Sequence, residues 1–219
     1  MNKLNIAVAA SLVLLTGCAT NKVTEDKYSG FLDNYSQLEQ SDIYPETKLY
    51  IVPNVDFSSY KGVMIDKVRI IFPDGLARPK NLLLTSIAKA YEEELKTSFT
   101  DKGYVVTQTE KPGIARIEAA ITSVYSSFDD LQAYQYIPIG AAITGAMRVS
   151  GASQKSARVM MEAKVTDAKN GKLLASVVDL QKGKELKSSS SKVTLDEARP
   201  ILQQWALRFA NAFGRLQKN

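Results

Sequence analysis

Asn170-Gly171 constrains this chain most, because of what flanks it. Val159, Met161, Ala163 and Val165 alternate into the pair, and Leu174, Ser176, Val178 and Leu180 alternate out of it. Period-two runs on either side of a turn dipeptide predict a β-hairpin, so the fold must contain an antiparallel ladder with a buried face.

The remaining periodicities extend that ladder into a sheet with helices. In "KGVMIDKVRIIFP", Val63 and Ile65, then Val68, Ile70 and Phe72 alternate, with a phase slip at Asp66-Lys67 of the kind a β-bulge makes. In "NLLLTSIAKAYEEELKTSFTDKG", Leu84, Ile87, Ala88, Tyr91, Leu95 and Phe99 share one helical face, Glu92 and Lys96 pair at i,i+4, and Gly103 ends the helix. "YVVTQ" predicts a short strand. After Pro112-Gly113, Ala115, Ile117, Ala119 and Ile121 predict another, and the turn between them suggests antiparallel neighbours. The last helix carries Leu202, Trp205, Ala206, Phe209, Phe213 and Leu216 on one face. Thr194-x-x-Glu197 resembles a capping box, but Pro200 fits a start at Arg199 or Pro200 better. The order β-α-β-β-β-β-α predicts an α+β, two-layer domain: a single mixed or antiparallel sheet with two helices packed on one face.

The N-terminus has its own logic. Lys3 and the apolar run Ile6 to Leu15 form a short secretory signal, too short to span a bilayer, which takes about 20 residues. "LTGC" (Leu15 to Cys18) resembles the bacterial lipobox, which implies cleavage before Cys18, acylation there and, with Ala19 rather than Asp next, the outer membrane. Acyl chains on one cysteine hold a protein to a membrane without a spanning segment. Cys18 is the sole cysteine, so no intramolecular disulfide competes for it. The expected division is a signal peptide over 1–17, an acylated Cys18 and polar tether over 18–45, and one periplasmic domain over 46–219. Within the tether, "GFLDNYSQL" (Gly30 to Leu38) is the one apolar patch. Its Phe31, Leu32, Tyr35 and Leu38 allow a short helix that docks.

Removing the signal leaves 202 residues, enough for one domain with a substantial core. At 45% hydrophobic and 23% charged the composition is globular. The net charge of +5 comes from Lys and Arg spread along the chain rather than clustered, so no nucleic-acid footprint emerges.

"SGFLDNYSQLEQ" (Ser29 to Gln40), "YIVPNVDFSSYKGVMIDKV" (Tyr50 to Val68), "ARIEAAITSV" (Ala115 to Val124) and "MEAKVTDAKNGKLLASVVD" (Met161 to Asp179) follow the lipobox in this order. Together they resemble the bacterial lipoprotein family called domain of unknown function 3313, over nearly the whole mature chain. Asn170-Gly171 departs from the Thr-Gly more frequent there, and both suit a tight turn. The resemblance implies an envelope lipoprotein and supplies no catalytic residues.

The residues themselves narrow the chemistry. The chain has no histidine, which excludes Ser-His-Asp and Cys-His catalysis and ordinary zinc sites. Ser86 to Lys89 ("SIAK") matches S-x-x-K, yet no S-D-N or K-T-G follows, and Ser189 to Lys192 matches equally. Asp129-Asp130 lacks the facing carboxylate or alternating ligands that glycosidase or calcium chemistry needs, so it reads as a solvated loop. Trp205 at helical spacing reads as core rather than a sugar platform. No catalytic residue, cofactor or metal is expected.

"YIPIGAAITGAMRVSG" (Tyr136 to Gly151) is the least ordinary segment. Gly140 and Gly145 have phosphate-loop spacing, but Ala146-Met147 stands where Lys and Ser/Thr belong. Ile137 to Met147 is eleven residues, too short to span a membrane. A long apolar connection between two strands is unusual unless it packs internally or binds something. Ile137, Pro138, Ile139, Gly140, Gly145, Met147 and Gly151 are the candidate contact residues for a protein partner, a second copy or the membrane. Two functions follow: a non-enzymatic envelope module that binds a partner or itself, or a periplasmic ligand-binding or hydrolytic module using carboxylates or a Ser-Lys pair.

Overall fold

The computed structural model describes residues 23, 25, 28–71, 82–128, 155–185 and 195–218. Cys18, Asp129-Asp130, Ser189 to Lys192 and the whole Ile137 to Gly151 segment lie outside them. In chain order the elements are β1 (Glu39–Gln40), β2 (Thr47–Ile51), β3 (Gly62–Ile65), β4 (Arg69–Ile70), α1 (Leu82–Asp101), β5 (Val105–Val106), β6 (Ile114–Phe128), β7 (Lys155–Asp167), β8 (Leu173–Glu185) and α2 (Leu195–Leu216).

All eight strands join one mixed sheet in the order β1-β2-β8-β7-β6-β3-β5, with β4 also on β6. β1 to β2, β2 to β8, β8 to β7 and β7 to β6 are antiparallel. β3, β4 and β5 join in parallel. The predicted hairpin forms between β7 and β8, and Gly171 adopts φ 72° where a side chain would be strained. Asp167 Oδ1 accepts the N–H groups of Lys169 and Asn170, and Gly171 N donates to Asp167 O at 2.9 Å, so the turn spans Ala168 to Gly171.

The phase slip at Asp66-Lys67 is real. Ile65 pairs with Ile117 and Arg69 with Ala120, so the chain takes four steps where β6 takes three, and the predicted long strand becomes β3 and β4. The antiparallel pairing expected across Pro112-Gly113 is not formed. β3 inserts between β5 and β6, and all three run parallel, because Gly113 closes on β3: its carbonyl accepts Lys61 N at 3.0 Å and Gly62 N at 3.3 Å. Gly62 makes that insertion possible. A Cβ there would stand 2.6 Å from Ile114 Cδ1 and 2.7 Å from the Val105 carbonyl.

Both helices lie on one face, as expected. Leu84, Ile87, Ala88, Tyr91, Leu95 and Phe99 of α1 are all buried, with Ile201, Leu202, Trp205, Ala206, Ala210 and Phe213 of α2, over Val63, Ile65, Ile117, Ile121, Met161 and Val165. α2 starts at Leu195, earlier than Pro200 suggested. Pro200 sits exposed inside the helix, where its missing N–H is tolerated because burial of Ala198, Ile201 and Leu202 outweighs one lost bond.

The opposite face is covered by the segment assigned to the tether. Val23, Phe31 and Leu32 are buried with Ala120, Met160, Val178 and Leu180, so the domain reaches back well before residue 46. The expected docking occurs without the helix that its spacing allowed; Gly30 to Leu38 is a strap of bends and turns. Its anchor is Glu162, fully buried, which accepts Tyr35 Oη–H at 2.5 Å and Ser29 N–H at 2.9 Å. Burial, then the bond to Glu162, push the Tyr35 phenol upward. Arg69 caps the Phe31 ring at 4.4 Å, and Lys164 bridges Asp33 and Glu118 at 3.6 and 3.5 Å.

Candidate binding pocket

Two helices cannot cover this sheet. Seven strands side by side at about 4.8 Å span roughly 29 Å, whereas two helices cover about 20 Å, which leaves a strip about two strands wide. That strip falls at β2 and β8, beside α2. Cross-strand pairing puts Thr47, Leu49 and Ile51 of β2 level with Asp179, Val177 and Ala175 of β8, so these side chains form the floor. Trp205, Phe209, Ala212, Phe213 and Leu216 of α2 form one wall, and the chain from Glu39 to Tyr44 forms the lip. The recess, open on one side, has a volume of about 680 Å³, within the range of small-molecule sites.

The floor is apolar except at one end, where Asp179 is 5% exposed. Thr47 Oγ1 donates to its Oδ1 at 2.7 Å, and Gln181 Nε2 donates to both oxygens at 3.2 and 3.0 Å. Burial raises the Asp179 pKa, opposed by these two bonds, by the charge of Arg208 and by the nearby Trp205 indole N–H. Trp205 Nε1 and Arg208 Nη1 are both buried without a hydrogen-bond partner of ordinary geometry. The Arg208 guanidinium lies over the Tyr44 ring at 4.5 Å, and that of Arg215, two turns on, at 5.9 Å from the same ring.

The raised pKa makes a prediction with a definite sign. From the ordinary value of 3.8 upward, the folded state keeps a proton that the unfolded chain has lost, so stability falls as pH rises through this window and stays lower above it. Asp179→Asn removes the titration, keeps an acceptor for Thr47 and lets the Gln181 amide turn to accept. The difference in urea midpoint between variant and native protein is expected to grow in the variant's favour as pH rises from 4. A difference independent of pH would contradict the assignment.

The residues singled out by motif do not meet here. Ser86 and Lys89 are exposed on the outer side of α1, and Lys89 pairs with Glu93 at 4.0 Å. Trp205 is core, 1% exposed and tilted against Tyr91 with centroids 5.7 Å apart, although its edge reaches the pocket. Among the described residues no three His, Cys, Asp or Glu side chains converge as a metal cage. Asp179, Thr47, Arg208, Tyr44 and Arg215 were not anticipated. The available signal was a carboxylate two residues after Val177 in an otherwise apolar alternation, which places it on the helix side of a buried strand.

Fold and pocket together define a class: a two-layer α+β domain with a ligand-sized recess between its second helix and an exposed strip of sheet. The chain belongs to the family described as protein of unknown function DUF3313, whose model matches residues 27–209. The uncharacterized lipoprotein YdcL of Escherichia coli K12 is 26% identical over 204 residues, covering 92% of this chain and 91% of that one. Among solved structures, a DUF330 protein from Xanthomonas campestris superposes with a TM-score of 0.45 at 10% identity, over 73% of this chain and 88% of that one. The PelC dodecamer of Paraburkholderia phytofirmans gives 0.38 at 10% identity, over 74% and 95%. The protein is thus a lipoprotein of a family without assigned activity, and no helix among its described residues is long and apolar enough to cross a membrane.

Proposed function

We propose that this chain is a lipoprotein anchored in the outer membrane through Cys18, with its domain in the periplasm, and that it acts by binding rather than by catalysis. The pocket carries the second half of this reading. Its one buried carboxylate is engaged by Thr47 and Gln181, and the floor and the α2 wall around it are mainly apolar, with Leu49, Ile51, Val177, Phe209 and Leu216. Catalysis needs a reacting group free to move a proton or attack; recognition needs shape, apolar area and a few fixed polar groups. The lipobox, the sole cysteine and the lipoprotein relatives support the anchor. Ile137 to Gly151 is the candidate contact for a protein partner or a second copy.

Trypsin should release the peptide Cys18 to Lys22 from the mature protein carrying the mass of three acyl chains, and the intact protein should sediment with the dense outer-membrane fraction. An unmodified Cys18, or Met1 retained on the membrane-bound form, would refute the anchor. Native mass spectrometry of protein taken gently from membranes should find a retained small molecule that incubation leaves unchanged. A ligand released chemically altered would make the protein an enzyme and end the binding reading.

A further inference from the structure

Building on the binding reading above, we propose that the pocket receives a single acyl chain ending in an anionic head group. The chain would lie along Leu49, Ile51 and Val177 on the sheet side and Phe209 and Leu216 on the helix side, a continuous apolar trough. The head would sit at the α2 side of the mouth. There Arg208 lines the pocket with a half-buried side chain, one nitrogen of which, Nη1, is covered and unpartnered while the rest of the guanidinium lies against Tyr44. Arg215 stands seven residues on, about 10 Å along the helix, and both guanidinium groups lie against the Tyr44 ring. Two such groups recognise a carboxylate or phosphate through paired, charge-assisted hydrogen bonds. Glu39 and Asp42 stand on the lip contributed by β1 and the turn after it. Their charges repel an anion, which confines the head to the arginine side and fixes the direction of the chain. Asp179 feels the charge of Arg208 but takes its three hydrogen bonds from Thr47 and Gln181 and forms no ion pair with the arginine.

Trp205 is the chain's sole tryptophan and borders the pocket, so its fluorescence reports the occupant. The acylated protein in dioleoylphosphatidylcholine vesicles would be titrated with three brominated probes of equal chain length: a fatty acid, a lysophosphatidylglycerol and an uncharged monoacylglycerol. Bromine quenches indole on contact. Saturable quenching is expected from at least one anionic probe, about tenfold tighter than from the neutral one, as one or two charge-assisted hydrogen bonds allow. The tighter anionic probe distinguishes carboxylate from phosphate as the source. Arg208→Gln and Arg215→Gln should erase the preference while leaving the melting transition cooperative, and Ala212→Phe, which fills the trough, should abolish quenching by all three. Equal quenching by the neutral probe would overturn the anionic head. No quenching by any probe, alongside a retained ligand of other chemistry, would overturn the acyl chain and leave the binding reading standing.

Discussion

Phe99→Ala should lower the stability of the domain by about 3–5 kcal/mol, the range for truncating a fully buried aromatic residue. Phe99 is fully buried where the two helices meet, and its ring makes edge contacts with Tyr104, Phe209 and Phe213 at centroid distances of 5.5, 6.2 and 5.6 Å. Each such pair adds to the area term because the positive edge of one ring faces the negative face of the next. Alanine removes three contacts at once and leaves a cavity that rigid neighbours cannot fill. Against a total of about 5–15 kcal/mol, the loss brings the domain near its threshold. Urea unfolding should show a large drop in midpoint with little change in slope. A drop under about 1 kcal/mol would mean the helices are not locked through this cluster.

Glu162→Ala is expected to cost about 2–4 kcal/mol through a different mechanism. The carboxylate is the common acceptor for Tyr35 Oη–H and Ser29 N–H, and removing it leaves two partly buried donors unpaired, at about 1–3 kcal/mol each. The strap should then loosen, exposing Phe31 and Leu32. Protease should cut between residues 28 and 38 in the variant and not in the native protein. Glu162→Gln, which keeps one acceptor oxygen, should restore part of the protection. Equal protease resistance in Glu162→Ala would show that the apolar contacts of Val23, Phe31 and Leu32 suffice.

These two sites differ in how far the sequence announces them. Phe99, Phe209 and Phe213 fall on helical periodicity beside a clear C-terminal glycine, so the helices, their buried faces and their place on one side of a sheet were legible. Asn170-Gly171 announced the hairpin for the same reason: the information is local. Glu162 could not be read, because a carboxylate in a strand ordinarily points to water, and only the strap, distant in sequence, makes it internal. β2 escaped notice because Thr47 to Ile51 has no strong alternation; apart from the two-residue β1, its partner is β8, more than a hundred residues away. The parallel insertion of β3 between β5 and β6 is equally non-local, so the Pro-Gly turn suggested the wrong neighbour. The pocket follows from a width mismatch between seven strands and two helices. No residue pattern states that mismatch.

The strap also sets a length scale. Val23 is 2% exposed, so with a lipid on Cys18 only five residue steps separate the bilayer from a point fixed on the sheet, a reach of at most about 17 Å. That is less than the breadth of the domain's own sheet. With the anchor proposed above, a protein on so short a leash would not sample the depth of the periplasm; its search would be close to two-dimensional. Molecules leaving or entering the same leaflet would then meet it at a high effective concentration, set by geometry rather than by intrinsic affinity. Inserting flexible residues between Cys18 and Val23 would lengthen this radius while leaving every contact of the folded domain in place.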